Sequence, residues 1–321
     1  MASSESNSQQ RGRSPCVSVI IPIYNGSATI DRALKSVFDQ TFAHYEIVIC
    51  DDGSTDDTPS VLAKYGDKIR VVRQPNRGLP AARNSGIRAS SGEYVAFLDD
   101  DDEWLPQMIE RCAAVLDQDL DCGLAYAGAL KVDPAGRPMP DQSSESEEID
   151  SPTMEQMLER PWVVVPSRVM ARRALLERCG GFEERCVVAC EDVFFLLRAR
   201  ECGYFRRVPE LLVRKTTRPL YPKALKREQA CELLVRLVRE RYGELAAGFI
   251  REYRRSRVKV MTHMARTLMQ EGRRADARKC LSRVIYYQPA SPKAYRRYLK
   301  TFLPVRTARP SSRTENPATP E

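Results

Sequence analysis

The sequence predicts an α/β fold, with a mostly parallel central sheet flanked by helices and followed by a C-terminal helical extension. Three observations predict it. Strand-like and helix-like segments alternate four times between residues 17 and 98, the pattern of an open parallel sheet. The residues just after each strand, 22–25, 51–55, 74–78 and 99–102, are polar, acidic or turn-forming, and ligands bind such sheets beyond the carboxyl ends of the strands. After about residue 222 the composition turns helical and basic.

Residues 17–21 are a β-branched run closed by Pro22, which reads as a buried strand. Residues 29–40 place Ile30, Ala33, Leu34, Val37 and Phe38 at helical spacing. Residues 45–50 form a second strand, 58–65 a helix, 69–72 a third strand, 81–89 a helix and 94–98 a fourth strand. A helix starts near Pro106, and 124–132 is a further strand. The Pro/Ser/acid-rich stretch 133–151 is expected to be a surface loop. Another strand is expected over 163–170, then a short helix over 173–179 stopped by Gly180 and Gly181. A helix over 193–202 is closed by Gly203. Residues 258–270 and 274–287, separated by Gly272, form one antiparallel helix pair.

Composition narrows the function. No apolar run approaches the roughly 20 residues of a membrane helix. Residues 1–15 are Ser/Gln/Arg-rich without an apolar segment, so they read as a disordered leader and not as a secretion signal. The Pro/Ser/Thr-rich residues 306–321 read as a disordered tail. Ten cysteines form no Cys-x-x-Cys pair and fit ordinary thiols in a reducing compartment, hence a cytoplasmic location. With two histidines, a His-rich zinc site is excluded. The net charge of +8 is unevenly spread: residues 206–309 hold 28 Lys and Arg against 8 Asp and Glu, while 1–205 carry a net −11. The acidic part suits a cation. The basic part suits peripheral contact with an anionic inner membrane surface, or else is a solvated helical face that meets a protein partner or nothing. Nucleic acid is not expected, because no binding motif accompanies the charge.

Four motifs carry the chemistry. Asp99, Asp100, Asp101 and Asp102 follow a buried strand, and crowding four carboxylates favours a hard divalent cation such as Mn²⁺ or Mg²⁺. The bland reading is an acidic cap for the next helix. Asp51-Asp52-Gly53-Ser54-Thr55-Asp56 offers a carboxylate to a base or ribose, or merely caps a turn. Arg83, in the segment 76–84, suits a bidentate phosphate contact, or else an exposed basic helix start. Glu191-Asp192 offers a general base for an acceptor hydroxyl, or a helix cap.

Over residues 16–217 the sequence resembles the inverting nucleotide-sugar glycosyltransferases of family 2, which have the GT-A fold with a Rossmann-like sheet. The resemblance rests on the segments 19–25, 51–56, 76–78 with 82–84, 92–102, 180–184 and 191–192, in the family's order. It implies transfer of a sugar from a nucleotide diphosphate sugar, with a bias toward UDP, to a glycan or lipid-linked acceptor in cell-surface polysaccharide or glycolipid synthesis. Pro22, Tyr24 and Asp52 then shape the nucleobase pocket, together with Asn25 and Asp51. Asp101 is the main metal ligand, Asp99 or Asp100 lies on the ribose side with Asp99 also near the metal, and Asp192 is the catalytic base. Glu183 stands where the family often has Asp. The Gln-x-x-Arg-Trp element and membrane helices of processive members are missing, which favours one sugar per encounter. The implied organisation is a glycosyltransferase domain over 16–221, with a donor half 16–106 and an acceptor half 107–221, then a basic helical region over 222–305. The competing expectation is a GT-A scaffold that binds nucleotide-sugar or glycan without turnover. A nicotinamide-dependent enzyme is excluded by the lack of Gly-x-Gly-x-x-Gly after the first strand.

Overall fold

The computed structural model describes residues 16–139, 149–159, 161, 164–187, 190–217 and 223–302. The expected leader over 1–15, the tail over 306–321, residues 140–148 of the expected surface loop and the start of the expected strand at Val163 lie outside the described residues.

The sheet grows outward from β1 (Val17–Ile23), which pairs in parallel with β2 (Tyr45–Asp51) and β4 (Tyr94–Phe97). β3 (Arg70–Arg73) adds in parallel to β2. The helices α1 (Ile30–Phe38), α2 (Thr58–Ala63) and α3 (Leu79–Ala89) are the crossovers. The period-2 pleat explains the fully apolar strands. Val17, Val19, Ile21 and Ile23 of β1 cluster with Ala33, Leu34 and Val37 of α1 and with Ile109 and Leu116 of α4 (Met108–Gln118). Ile20, Val48, Val95 and Phe97 face the opposite layer. A sheet covered on both faces needs apolar residues at every position, each contributing roughly 1.5–3 kcal/mol when buried.

The second half of the sheet is mixed, with two of its strands running against the others. β5 (Glu103–Trp104) and β6 (Cys122–Val132) are followed by α5 (Met154–Glu159), β7 (Val169–Arg172) and α6 (Arg173–Cys179). α7 (Glu191–Cys202) leads into β8 (Tyr204–Thr216). The eight strands lie in the order β3-β2-β1-β4-β7-β6-β8-β5. β7 is antiparallel to both β4 and β6, β8 runs parallel to β6, and β5 is antiparallel to β8.

Several expectations are corrected. Residues 166–168 form a 3₁₀ turn (Pro166–Arg168) and the strand begins only at Val169, because Pro166 has no N–H for a ladder. α7 begins at Glu191, so Glu191 and Asp192 lie in its first turn and not before it. β5 and the thirteen-residue β8 were not expected from the sequence. β8 mixes charged and apolar residues because it is only half-buried.

The chain divides into two compact units, Met1–Tyr253 and Arg254–Glu321. In the first, α8 (Lys223–Tyr242) places Cys231, Leu234, Leu237 and Val238 in the core, and the start of α9 (Ala247–Gln270) adds Phe249 and Ile250. In the second, the expected helix pair is present: the later part of α9, with Met261, Met264 and Leu268 buried, and α10 (Arg274–Tyr287). A further helix, α11 (Pro292–Lys300), packs on α10.

Candidate active site

Loops leave the carboxyl ends of β1, β2 and β4, and Asn25 ties the first two together. Its backbone has φ 52°, a left-handed conformation that Asn adopts more readily than most residues. Its N–H donates to Ser54 Oγ at 3.0 Å, and its Oδ1 accepts from Thr55 N at 2.8 Å. Asp51 is buried and accepts from Ser54 N at 2.8 Å. Asp52, also buried, accepts from Gln74 Nε2 at 2.7 Å, Arg77 N at 2.9 Å and Gly78 N at 2.7 Å. These three residues therefore build the loops after β2 and β3. Pro22 is buried within β1, whereas Tyr24, just past the strand, is 49% exposed.

The four aspartates diverge. Asp99 Oδ1 pairs with Arg83 Nη2 at 2.6 Å, and Asp99 Oδ2 lies 4.0 Å from Lys215 Nζ. Burial alone would raise the Asp99 pKa, but the charges of Arg83 and Lys215 prevail and hold it below the usual carboxylate value. Asp100 Oδ2 accepts from Thr29 Oγ1 at 2.7 Å. The Asp101 backbone carbonyl accepts from Arg32 Nη2 at 3.1 Å and from the Thr216 hydroxyl. Asp102 turns inward. It is fully buried and accepts from Ser167 Oγ at 2.6 Å, Thr216 N at 2.8 Å and Lys215 Nζ at 3.1 Å. Burial pushes its pKa up to about 6 against the pull of Lys215. The capping alternative fails, since α4 begins at Met108 with Gln107 before it.

Arg83 corrects the expectation most. Its side chain is 0% exposed, so it is neither an exposed helix start nor open to a phosphate. It bridges Asp99 and Glu191, whose Oε1 is 2.9 Å from Nη1, and its guanidinium carbon lies 5.2 Å from the Phe182 ring centroid. Asn84 fastens the same turn: its Nδ2 donates to Phe182 O at 2.9 Å and its Oδ1 accepts from Phe182 N at 2.8 Å. The glycine-rich segment 180–184 is thereby docked on α3.

Asp192 follows Glu191 in the first turn of α7 and accepts from the next backbone N–H, that of Val193, at 2.8 Å. Burial first, and the neighbouring Glu191 second, push its pKa up to about 7. Cys190, immediately before the pair, has φ 72°. A non-glycine residue in that region is uncommon, and such strain clusters at functional sites. The structure thus joins Asp99 to the Glu191–Asp192 pair through one buried arginine, although 92 residues separate Asp99 from Glu191.

The sequence reading missed Lys215 and Ser167, which lie far from every motif and are delivered by β8 and the 3₁₀ turn. Glu191 was visible only as the neighbour of Asp192. Among the described residues no three Asp, Glu, His or Cys side chains converge on one point. A Mg²⁺ or Mn²⁺ shared with substrate phosphates needs only one or two protein carboxylates, a number within the reach of the aspartates after β4, where both oxygens of Asp99 already face Arg83 and Lys215.

Residues 18–180 match the family model described as Glycosyl transferase family 2. An uncharacterised glycosyltransferase of Rickettsia prowazekii is 32% identical over 179 residues, 53% of this chain and 54% of that protein. The chain thus spans about half the length of that relative. Chondroitin synthase of Escherichia coli is 37% identical over 127 residues, 39% of this chain and 18% of that protein. Staphylococcus aureus TarS 1–349 in complex with UDP-GlcNAc superposes with a TM-score of 0.58 at 19% identity, covering 89% of each chain, which shows a shared GT-A-type fold. By its family match and its fold, the chain belongs to glycosyl transferase family 2.

Proposed function

We propose that the chain transfers a single sugar from a nucleotide diphosphate sugar, with a UDP-sugar favoured, to an acceptor hydroxyl with inversion. The observation that carries the reading is the ion-paired set Asp99, Arg83 and Glu191, with Asp192 next to Glu191 in the first turn of α7. It pairs an acidic mouth at the strand ends with a carboxylate whose proton affinity lies near neutral pH. Pro22, Tyr24, Asn25, Asp51 and Asp52 shape the base pocket, and Asp100 lies toward the ribose. Arg83 acts as a positioning residue and not as a phosphate ligand. Asp99 and Asp101 would hold Mn²⁺ or Mg²⁺, which when bound neutralises charge on the leaving diphosphate. Asp192 takes the proton of the acceptor hydroxyl as that oxygen attacks the anomeric carbon. The bond to the diphosphate oxygen breaks on the opposite face, in a single displacement with no covalent sugar–enzyme intermediate.

Residues 16–106 serve as the donor half and 107–221 as the acceptor half. The similarity to relatives such as chondroitin synthase supports a glycan or lipid-linked acceptor in polysaccharide or glycolipid synthesis. No helix among the described residues is long and apolar enough to cross a membrane. The 28 Lys and Arg against 8 Asp and Glu in residues 206–309 support, in addition, peripheral contact with an anionic inner membrane surface.

The test is the melting temperature with a panel of nucleotide diphosphates and nucleotide sugars, with and without Mn²⁺, followed by nucleotide release in the presence of acceptor. A metal-dependent rise with one nucleotide is expected, since a ligand of the native state stabilises it by mass action. No rise with any nucleotide sinks the donor assignment. Binding without release under any acceptor supports the non-catalytic scaffold instead.

A further inference from the structure

α11 in the second compact unit presents a surface that the transfer reaction does not use. Ser291 caps it, its hydroxyl accepting from Ala294 N at 3.4 Å. Ala294 and Thr301 are buried. Tyr295 and Leu299 follow at i and i+4 and share one face of α11, and Phe302 lies in the turn just past its end, its N–H donating to Leu299 O at 3.1 Å. They are 44%, 63% and 59% exposed. The stripe is not a frayed end: the guanidinium carbon of Arg278 lies 4.7 Å from the Phe302 ring centroid, and Tyr298 meets that ring at 5.7 Å. Lys293, Arg296 and Lys300 line the neighbouring exposed face. Beside the helix is a cavity of about 180 Å³ with apolar residues Ala265, Met269 and Leu281 and cationic Arg266, Arg297 and Lys300 in its wall.

Three large apolar side chains in water are unfavourable unless something covers them. An acidic protein surface would match the cations and leave Leu299 and Phe302 unmatched, whereas a neutral bilayer would match only the stripe. An anionic phospholipid interface matches both. We propose that α11 is an interfacial anchor that seats on an anionic phospholipid bilayer. Leu299 and Phe302 enter the acyl boundary and Tyr295 lies at the headgroup level. Lys293, Arg296 and Lys300 meet lipid phosphates, and the cationic cavity wall takes one more. This narrows the peripheral membrane contact proposed above to one helix, and rests on it.

The experiment is cosedimentation of the full chain with phosphatidylcholine vesicles, alone or with about one-third phosphatidylglycerol, across a salt series. Two variants accompany it, Leu299→Asp with Phe302→Asp, and Lys293→Gln with Arg296→Gln and Lys300→Gln. Tyr295 is kept in both, and every substituted side chain is exposed, so each variant should melt like the wild type. Wild type should bind anionic vesicles and not neutral ones. Each basic residue near such a surface is worth roughly fivefold in partitioning, so the charge variant, which loses three, should weaken by about a hundredfold. The apolar variant should lose as much and keep no salt-resistant fraction. If both variants bind as wild type does, α11 is not the anchor, although the peripheral contact stands. If wild type binds neither vesicle, both readings fail. If wild type is a dimer that Leu299→Asp with Phe302→Asp disperses, a second copy covers the stripe and the proposal is overturned.

Discussion

Replacing Asp192 by Asn should stabilise the protein and inactivate it together. Asn keeps the size of the side chain and the acceptor for Val193 N, which donates at 2.8 Å. It removes a carboxylate whose ionisation the native fold resists, the pKa rising from 3.8 to about 7 through burial and then Glu191. That gap corresponds to roughly 4 kcal/mol, taken as an upper figure. The sign follows from proton binding. Below pH 3.8 the carboxyl is protonated in both native and unfolded chains, and its full contribution to stability is present. Between 3.8 and about 7 the unfolded chain releases the proton and the native chain keeps it, so stability falls as pH rises. Above about 7 the native state carries the whole cost. Asn never pays it. Urea unfolding, followed by the fluorescence of buried Trp104, should show little difference between variant and wild type near pH 4. At pH 8 the variant should be more stable, by several degrees in a matched melt at ~2–4 °C per kcal/mol. Sugar transfer should be lost while donor binding survives, because the base touches only the acceptor proton. A stability gap that does not widen with pH, or a variant that still transfers sugar, refutes the reasoning.

Wild-type kcat/KM should climb with pH and level off above about 7, as Asp192 loses its proton; a profile flat from pH 5 to 8 removes Asp192 as the base. Asp101→Ala should abolish metal-dependent turnover and weaken Mn²⁺ binding in calorimetry, whereas undiminished Mn²⁺ affinity would place the ion elsewhere. Arg83→Met should leave Glu191 without its cation and Asp99 with Lys215 alone, 4.0 Å away, and cost about 3–5 kcal/mol; a variant that unfolds with the wild type's midpoint contradicts the bridge. Gly26→Ala would set a Cβ 2.4 Å from Asp100 Oδ2 and 2.7 Å from an Ile23 side-chain carbon. It should cost about 1–3 kcal/mol and weaken nucleotide binding, and wild-type behaviour in both respects would show that Asp100 can move without consequence.

The sequence by itself determined the first half of the sheet. In β1, β2 and β4 the apolar runs, the helical spacing between them and the polar ends all report local physics, and a strand buried on both faces announces itself by composition. It also marked the four crowded aspartates 99–102 as a cation site by their chemistry, whereas Asp192 read first as a helix cap, and only the family resemblance singled it out as the base and Asp101 as the main metal ligand. The later strands were harder to see. β8 alternates weakly because only part of it is buried, and β7 was displaced by Pro166, whose missing N–H turns the chain before the ladder can begin. What only the tertiary structure decided was the wiring of the site. Arg83 reads in one dimension as a cation for a phosphate; in three it sits between Asp99 and Glu191, and Lys215 reaches Asp102 across 113 residues. The physical reason is that a buried charge must find a partner or lose its charge, and which partner it finds depends on strand order and not on spacing along the chain.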